Sequence, residues 1–166
     1  CAAKGLTSCI VALLHGGATV DAATDDGKTA LHFSAIGGSL SVCDTLLAYG
    51  ATASACDRGK QTPLHKAALN GHGAVAVALI DAGAAINDKS NGGSTPLHNA
   101  SKWGHTKVVR TLLARGANPL VSDNVSSKLK FFWFLYFCIL RETTLLMGEN
   151  FQNVIYIAIF SSIHFH

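Results

Sequence analysis

Pairs of apolar residues recur along the first three quarters of the chain at a constant spacing: Leu13/Leu14, Leu46/Leu47, Leu79/Ile80 and Leu112/Leu113. Within residues 57–89, Val75, Leu79 and Ile80 fall at i, i+4 and i+5, the apolar stripe of a helix. Upstream of it, Leu64, Ala67 and Ala68 supply the inner face of a shorter helix. The neighbouring segments keep small residues at the same place, Ser34/Ala35 and Ala100/Ser101, which lets helices pack closely. A helix pair of this size cannot bury its stripe alone. The pattern therefore predicts an all-α stack of similar units rather than one globular core.

The polar positions carry the same ruler. Thr29-Ala30-Leu31-His32, Thr62-Pro63-Leu64-His65 and Thr95-Pro96-Leu97-His98 stand 33 residues apart. Gly-Ala pairs at 17, 50, 83 and 116 keep that period, as do Gly5, Gly38, Gly71 and Gly104. Thr62 suits a helix N-cap, since its hydroxyl can accept from a free backbone N–H. Pro63 follows where its missing N–H costs nothing. Asn70-Gly71 should end the helix, because glycine tolerates the left-handed conformation there. Asp57-Arg58-Gly59-Lys60 reads as a turn, with Gly59 available for positive φ. The unit is turn–helix–turn–helix. The expected organisation is a partial unit over 1–23, full units over 24–56, 57–89 and 90–122, and an aborted unit with an aromatic-rich tail over 123–166. Entry at Cys1 in mid-unit suggests a fragment of a longer protein.

Thr-Pro-Leu-His, then Ala-Ala, Asn-Gly-His, Leu-Ile, Ala-Gly-Ala and Ile-Asn, all in register, resemble the ankyrin repeat. The resemblance covers residues 1–124. It implies a solenoid that binds another protein, with partners across the turn tips and the exposed face of the first helices. The matching tip positions are Asp25, Asp26, Lys28, Arg58, Lys60, Lys89 and Asn91, and the helix-face positions are Leu69, Asn70, Lys102 and Trp103. It assigns Thr29, His32, Thr62, His65, Thr95 and His98 to the framework. Trp103 is the sharpest candidate, because the preceding unit has Asn70 at that place and packing does not demand an indole.

Composition adds exclusions. The net charge is +3 in 166 residues, and charged residues are only 14% of a chain that is 49% hydrophobic, which argues against general disorder. Ten Lys/Arg against eight Asp over residues 1–124 is too balanced for a nucleic-acid footprint. Five cysteines match neither a disulfide framework nor a zinc site, so reduced thiols in a cytoplasmic or nuclear compartment are expected. Cys9 and Cys43 lie on the stripe of a second helix and are expected to be buried. Cys56, near a turn tip, is the candidate for a reactive thiol.

No catalytic, cofactor or metal residue is expected. The three repeat histidines sit on helices about 8–10 Å apart, too far for one ion that needs ligand atoms about 2 Å away. A nucleophile would need a base and an orienting partner, and no such set stands out. Gly16-Gly17 and Gly92-Gly93 lack the context of a phosphate loop. The alternatives to a free-standing interaction module are a targeting or regulatory domain of a larger enzyme or channel, and a small membrane-associated protein.

The last rests on the tail alone, where composition breaks. Ten of the thirteen aromatics lie in residues 125–166, and Lys128 and Lys130 stand where the register wants Thr and Leu. The apolar runs 131–140 and 154–163 are each shorter than the roughly 20 residues of a spanning helix. Three readings are open: translated intron, a degenerate cap on the stack, or a membrane-associated segment within 131–163.

Overall fold

A computed structural model describes residues 7–121. Seven helices follow in order: α1 (Thr7–His15), α2 (Ala30–Gly37), α3 (Leu40–Ala48), α4 (Pro63–Leu69), α5 (Gly73–Asp81), α6 (Pro96–Lys102) and α7 (Thr106–Ala114). They form two rows. Helices α2, α4 and α6 pack side by side in one, and α1, α3, α5 and α7 in the other. Each pair α2/α3, α4/α5 and α6/α7 also packs across the rows. Among the described residues the extended structure is one antiparallel bridge between Ala23 and Thr29, closing a turn. The fold is all-helical, and the tail readings lie outside the described residues.

The helices start and stop for local reasons. Thr62 holds an extended backbone, φ −85°, and its hydroxyl accepts from the His65 N–H, with Pro63 at the first helical position. Thr95 and Pro96 repeat this at α6. After Asn70 the chain reverses through Gly71 at φ 78°. Glycine is needed there twice over. Besides the left-handed backbone, a Cβ on Gly71 would lie 2.7 Å from the His105 ring, and one on Gly38 would lie 2.5 Å from the His72 ring.

The core runs between the rows as repeated layers. Leu31, Leu64 and Leu97 from the first helices meet Val42, Val75, Val108, Leu46, Leu79 and Leu112 from the second, each at most 1% exposed. Burying such a side chain stabilises by about 1.5–3 kcal/mol, so most of the stability lies in these layers. Each layer touches only its neighbours, which makes the stack cooperative through its interfaces.

Four expectations need correction. The paired apolar positions are not equally buried. Leu46, Leu79 and Leu112 are enclosed, whereas Leu47, Ile80 and Leu113 are only partly buried against the core. Ala76 takes the enclosed place beside Val75 and Leu79. In α1 the first member, Leu13, is 58% exposed and Cys9 is exposed too. They lie one turn apart and share a face of α1, while Ile10 is buried and Leu14 packs on the core. The fourth concerns the turn: positive φ falls on Lys60, at 53°, and not on Gly59. Asp57 Oδ1 accepts from the backbone N–H of both Gly59 and Gln61, at 2.8 and 2.9 Å, and a Cβ on Gly59 would stand 3.2 Å from that oxygen.

Candidate protein-interaction face

The tips are held in register by one another. The Arg58 N–H donates to the Asp26 carbonyl at 2.9 Å, and the Asn91 N–H to the Gly59 carbonyl at 2.9 Å. The Asn91 amide adds a bond to the Arg58 carbonyl at 2.9 Å. Below the tips, α4 and α6 each present one mixed polar and apolar face at i, i+3 and i+4 that ends on the C-cap residue. It reads Lys66, Leu69 and Asn70 on α4, and Asn99, Lys102 and Trp103 on α6. An ion pair ties tip to helix: Lys66 Nζ lies 2.8 Å from Asp57 Oδ2, and both side chains are nearly buried, 12% and 7% exposed. Lys66 also donates to the Gln61 side-chain oxygen. Burial alone would raise the Asp57 pKa, but the Lys66 ammonium and the Gln61 and Gly59 N–H groups outweigh it and hold the carboxyl below its ordinary value.

The histidines lie inside this frame. Nδ1 of His65 accepts from the Thr62 N–H at 3.2 Å and lies 2.9 Å from the Thr62 hydroxyl. That leaves the proton on Nε2, which donates to the Ser94 carbonyl of the next unit at 3.0 Å. His32 does the same with Thr29 and the Gln61 carbonyl, the latter at 2.9 Å. His98 Nδ1 is 2.8 Å from the Thr95 hydroxyl. Burial pushes the His32 and His65 imidazoles below the usual 6.5, against the carbonyls, which favour the charged form. His72 and His105 stand at helix N-caps but make no side-chain cap bond. Their Nε2 atoms reach back to the Ile36 and Leu69 carbonyls, at 3.1 and 2.9 Å.

The residues expected at the surface fall as follows. Asp25, Asp26, Arg58, Lys60, Lys89 and Asn91 are exposed at the tips, and Lys28 is half-buried, 3.6 Å from Asp26. Asn70 and Lys102 are exposed and Leu69 half-buried. Trp103 is 61% exposed. Its backbone, φ −98° and ψ 5°, matches that of Asn70 at −99° and 2°. The same C-cap is therefore made without an indole. Cys43 is buried, and its thiol is pushed up to about 11 by burial first and Asp44 second, while Cys56 is exposed. The Asp57–Lys66 pair and the backward bonds of His72 and His105 were not anticipated from sequence. A charge facing its partner nine residues on gives no periodic signal, and a bond to a carbonyl 36 residues earlier becomes visible only when units are stacked.

Two rows of helices built from turn–helix–turn–helix units, with a tip joined to each first helix, define a helical repeat stack. A family model of ankyrin repeats in three copies matches residues 1–90 and again 52–123. The chain belongs to the ankyrin-repeat family. Ankyrin repeats are in general protein-interaction modules and are typically non-catalytic. No curated protein matched the sequence. No helix among the described residues is long and apolar enough to cross a membrane.

Proposed function

We propose that the chain is a non-catalytic protein-binding scaffold whose partner lies across the tips and the exposed face of α4 and α6. Asp25, Asp26, Lys28, Arg58, Lys60, Lys89 and Asn91 would meet the partner at the tips, and Leu69, Asn70, Lys102 and Trp103 on the helices. The mechanism is presentation. The tips are already bonded to one another and to α4, so binding loses little to ordering. The free thiols of Cys9, Cys43 and Cys56 fit a reducing cytoplasmic or nuclear setting.

Trp103 is the observation that carries this reading. It exposes an aromatic of hot-spot type at a position whose backbone a neighbouring unit makes with asparagine. Trp103→Ala should leave the melting temperature in place and weaken binding of a captured partner by more than about 1 kcal/mol, roughly fivefold. Equal affinity of the two proteins, measured by calorimetric titration, would remove Trp103 from the interface.

A further inference from the structure

Charge is sorted along the stack. Residues 24–56 carry Asp25, Asp26 and Asp44 against Lys28. Residues 57–89 carry Arg58, Lys60, Lys66 and Lys89 against Asp57, Asp81 and Asp88. Residues 90–122 carry Lys102, Lys107, Arg110 and Arg115 and no acid. Several of these cations are neutralised locally, Lys28 by Asp26, Lys66 by Asp57 and Arg115 by Asp81. Arg58, Lys60 and Lys102 are exposed and make no ion pair among the described residues. Arg58 and Lys60 stand at the tip before α4, and Lys102 adjoins Trp103 at the end of α6.

Lys60 singles itself out. It holds φ 53°, while the equivalent places in the flanking tips are Gly27 at 76° and Gly93 at 75°. A side chain is strained in that region, and glycine is the ordinary solution. This tip keeps a cation where both neighbours keep glycine. The cation is also well supported, since Asp57 closes the turn beneath it and Asn91 braces it from the next tip.

We propose that this face takes an acidic protein segment, with carboxylates on Arg58, Lys60 and Lys102 and an apolar side chain on Trp103. The proposal rests on the reading that the partner lies across the tips and first helices. The Arg58 and Lys60 cations stand on a backbone that is already braced, so less ordering is lost on binding, and opposite charge speeds encounter. Asp25 and Asp26 on the adjoining tip repel the same carboxylates, so they set the direction in which the segment lies.

The test is selection of random peptides of about 12 residues, displayed on phage, against the purified full chain. Enriched peptides should carry net negative charge and an aromatic or large aliphatic residue. A synthetic copy of one should bind at least about tenfold more weakly to the R58E/K60E variant, and more weakly as salt is raised. Lys60→Gly should weaken it about threefold while the melting temperature holds or rises, because glycine relieves the strained backbone. A purely structural role for Lys60 would move neither binding nor its salt dependence.

Neutral or basic enriched peptides, or none at all, would overturn the proposal. If neutral peptides still lose affinity in Trp103→Ala, the face survives and only its acidic preference falls. If peptides bind with no response to either Trp103→Ala or R58E/K60E, the face itself is wrong. Equal binding of a single-stranded oligonucleotide of about 20 nucleotides, lost in R58E/K60E, would reduce the site to general anion attraction and also overturn it.

Discussion

Lys66 and Asp57 illustrate how one residue pair can join a surface feature to the core. Both side chains are nearly out of water, and the carboxylate accepts from two backbone N–H groups as well as from the ammonium. Such a pair adds little net stability as a pair, but it is costly to break, because the remaining charge stays buried. Lys66→Met should therefore cost about 3 kcal/mol, read from urea unfolding. Asp81→Asn, which breaks the more exposed pair with Arg115, should cost less than about 1 kcal/mol. Equal losses would show that the tip relaxes and lets Asp57 reach water. Lys60 teaches a different lesson at this scale. Glycine beside it drew the expectation of positive φ to Gly59, yet the two bonds to Asp57 place the left-handed residue one step later. Residue preference named the turn correctly and its strained position wrongly.

At the level of elements, the helix boundaries were the most legible part of the sequence. Thr62, Pro63 and Gly71 act through neighbours a few residues away, so their effect can be read without knowing the stack. Burial at the first helix was less legible. Cys9 and Leu13 have the same apolar character as Cys43 and Leu46, yet they differ in exposure, because burial depends on what packs alongside. The glycines at helix ends separate two effects that sequence merges. Gly71 and Gly83 both have positive φ, 78° and 87°. A Cβ at Gly83 would have nothing within 4 Å, whereas one at Gly71 would meet the His105 ring. Gly83→Ala should cost about 1 kcal/mol for the backbone alone. Gly71→Ala should cost visibly more, because it also displaces His105 from the Leu69 carbonyl. Combining it with His105→Ala should recover part of that excess in a double-mutant cycle. Additive losses would mean that the ring moves aside without penalty.

At the scale of the whole molecule, His32 and His65 are buried between units and burial disfavours their charged form, which shapes the response to acid. Burial lowers the His32 and His65 pKa values below 6.5, the value for the unfolded chain. The unfolded state therefore takes up protons first as the pH falls. Stability from these groups is complete above about 6.5 and declines below it. Asp57 acts in the same direction at lower pH, since its depressed value contributes stability that is lost as the carboxylate is protonated. The urea midpoint should fall between pH 7.5 and 5.5, and His65→Gln should flatten that fall. An unchanged midpoint over this range would mean that the buried rings titrate as they do in the unfolded chain. The candidate face was only partly legible at this scale. The period isolated Trp103 and the tips, but a balanced total of charge concealed its separation into an acidic and a basic end. That separation emerges only when the units are counted one at a time.

The bonds between units span fixed distances along the chain. His32 and His65 each reach 29 residues ahead, and His72 and His105 each reach 36 residues back. One residue inserted between donor and acceptor misaligns the bond, however conservative the insertion. A whole block of 33 residues presents an equivalent carbonyl at the same place. The spacing of the described stack is therefore quantised: it can grow or shrink by complete units while His32, His65, His72 and His105 still find their acceptors, and a partial unit leaves a ring facing the wrong carbonyl.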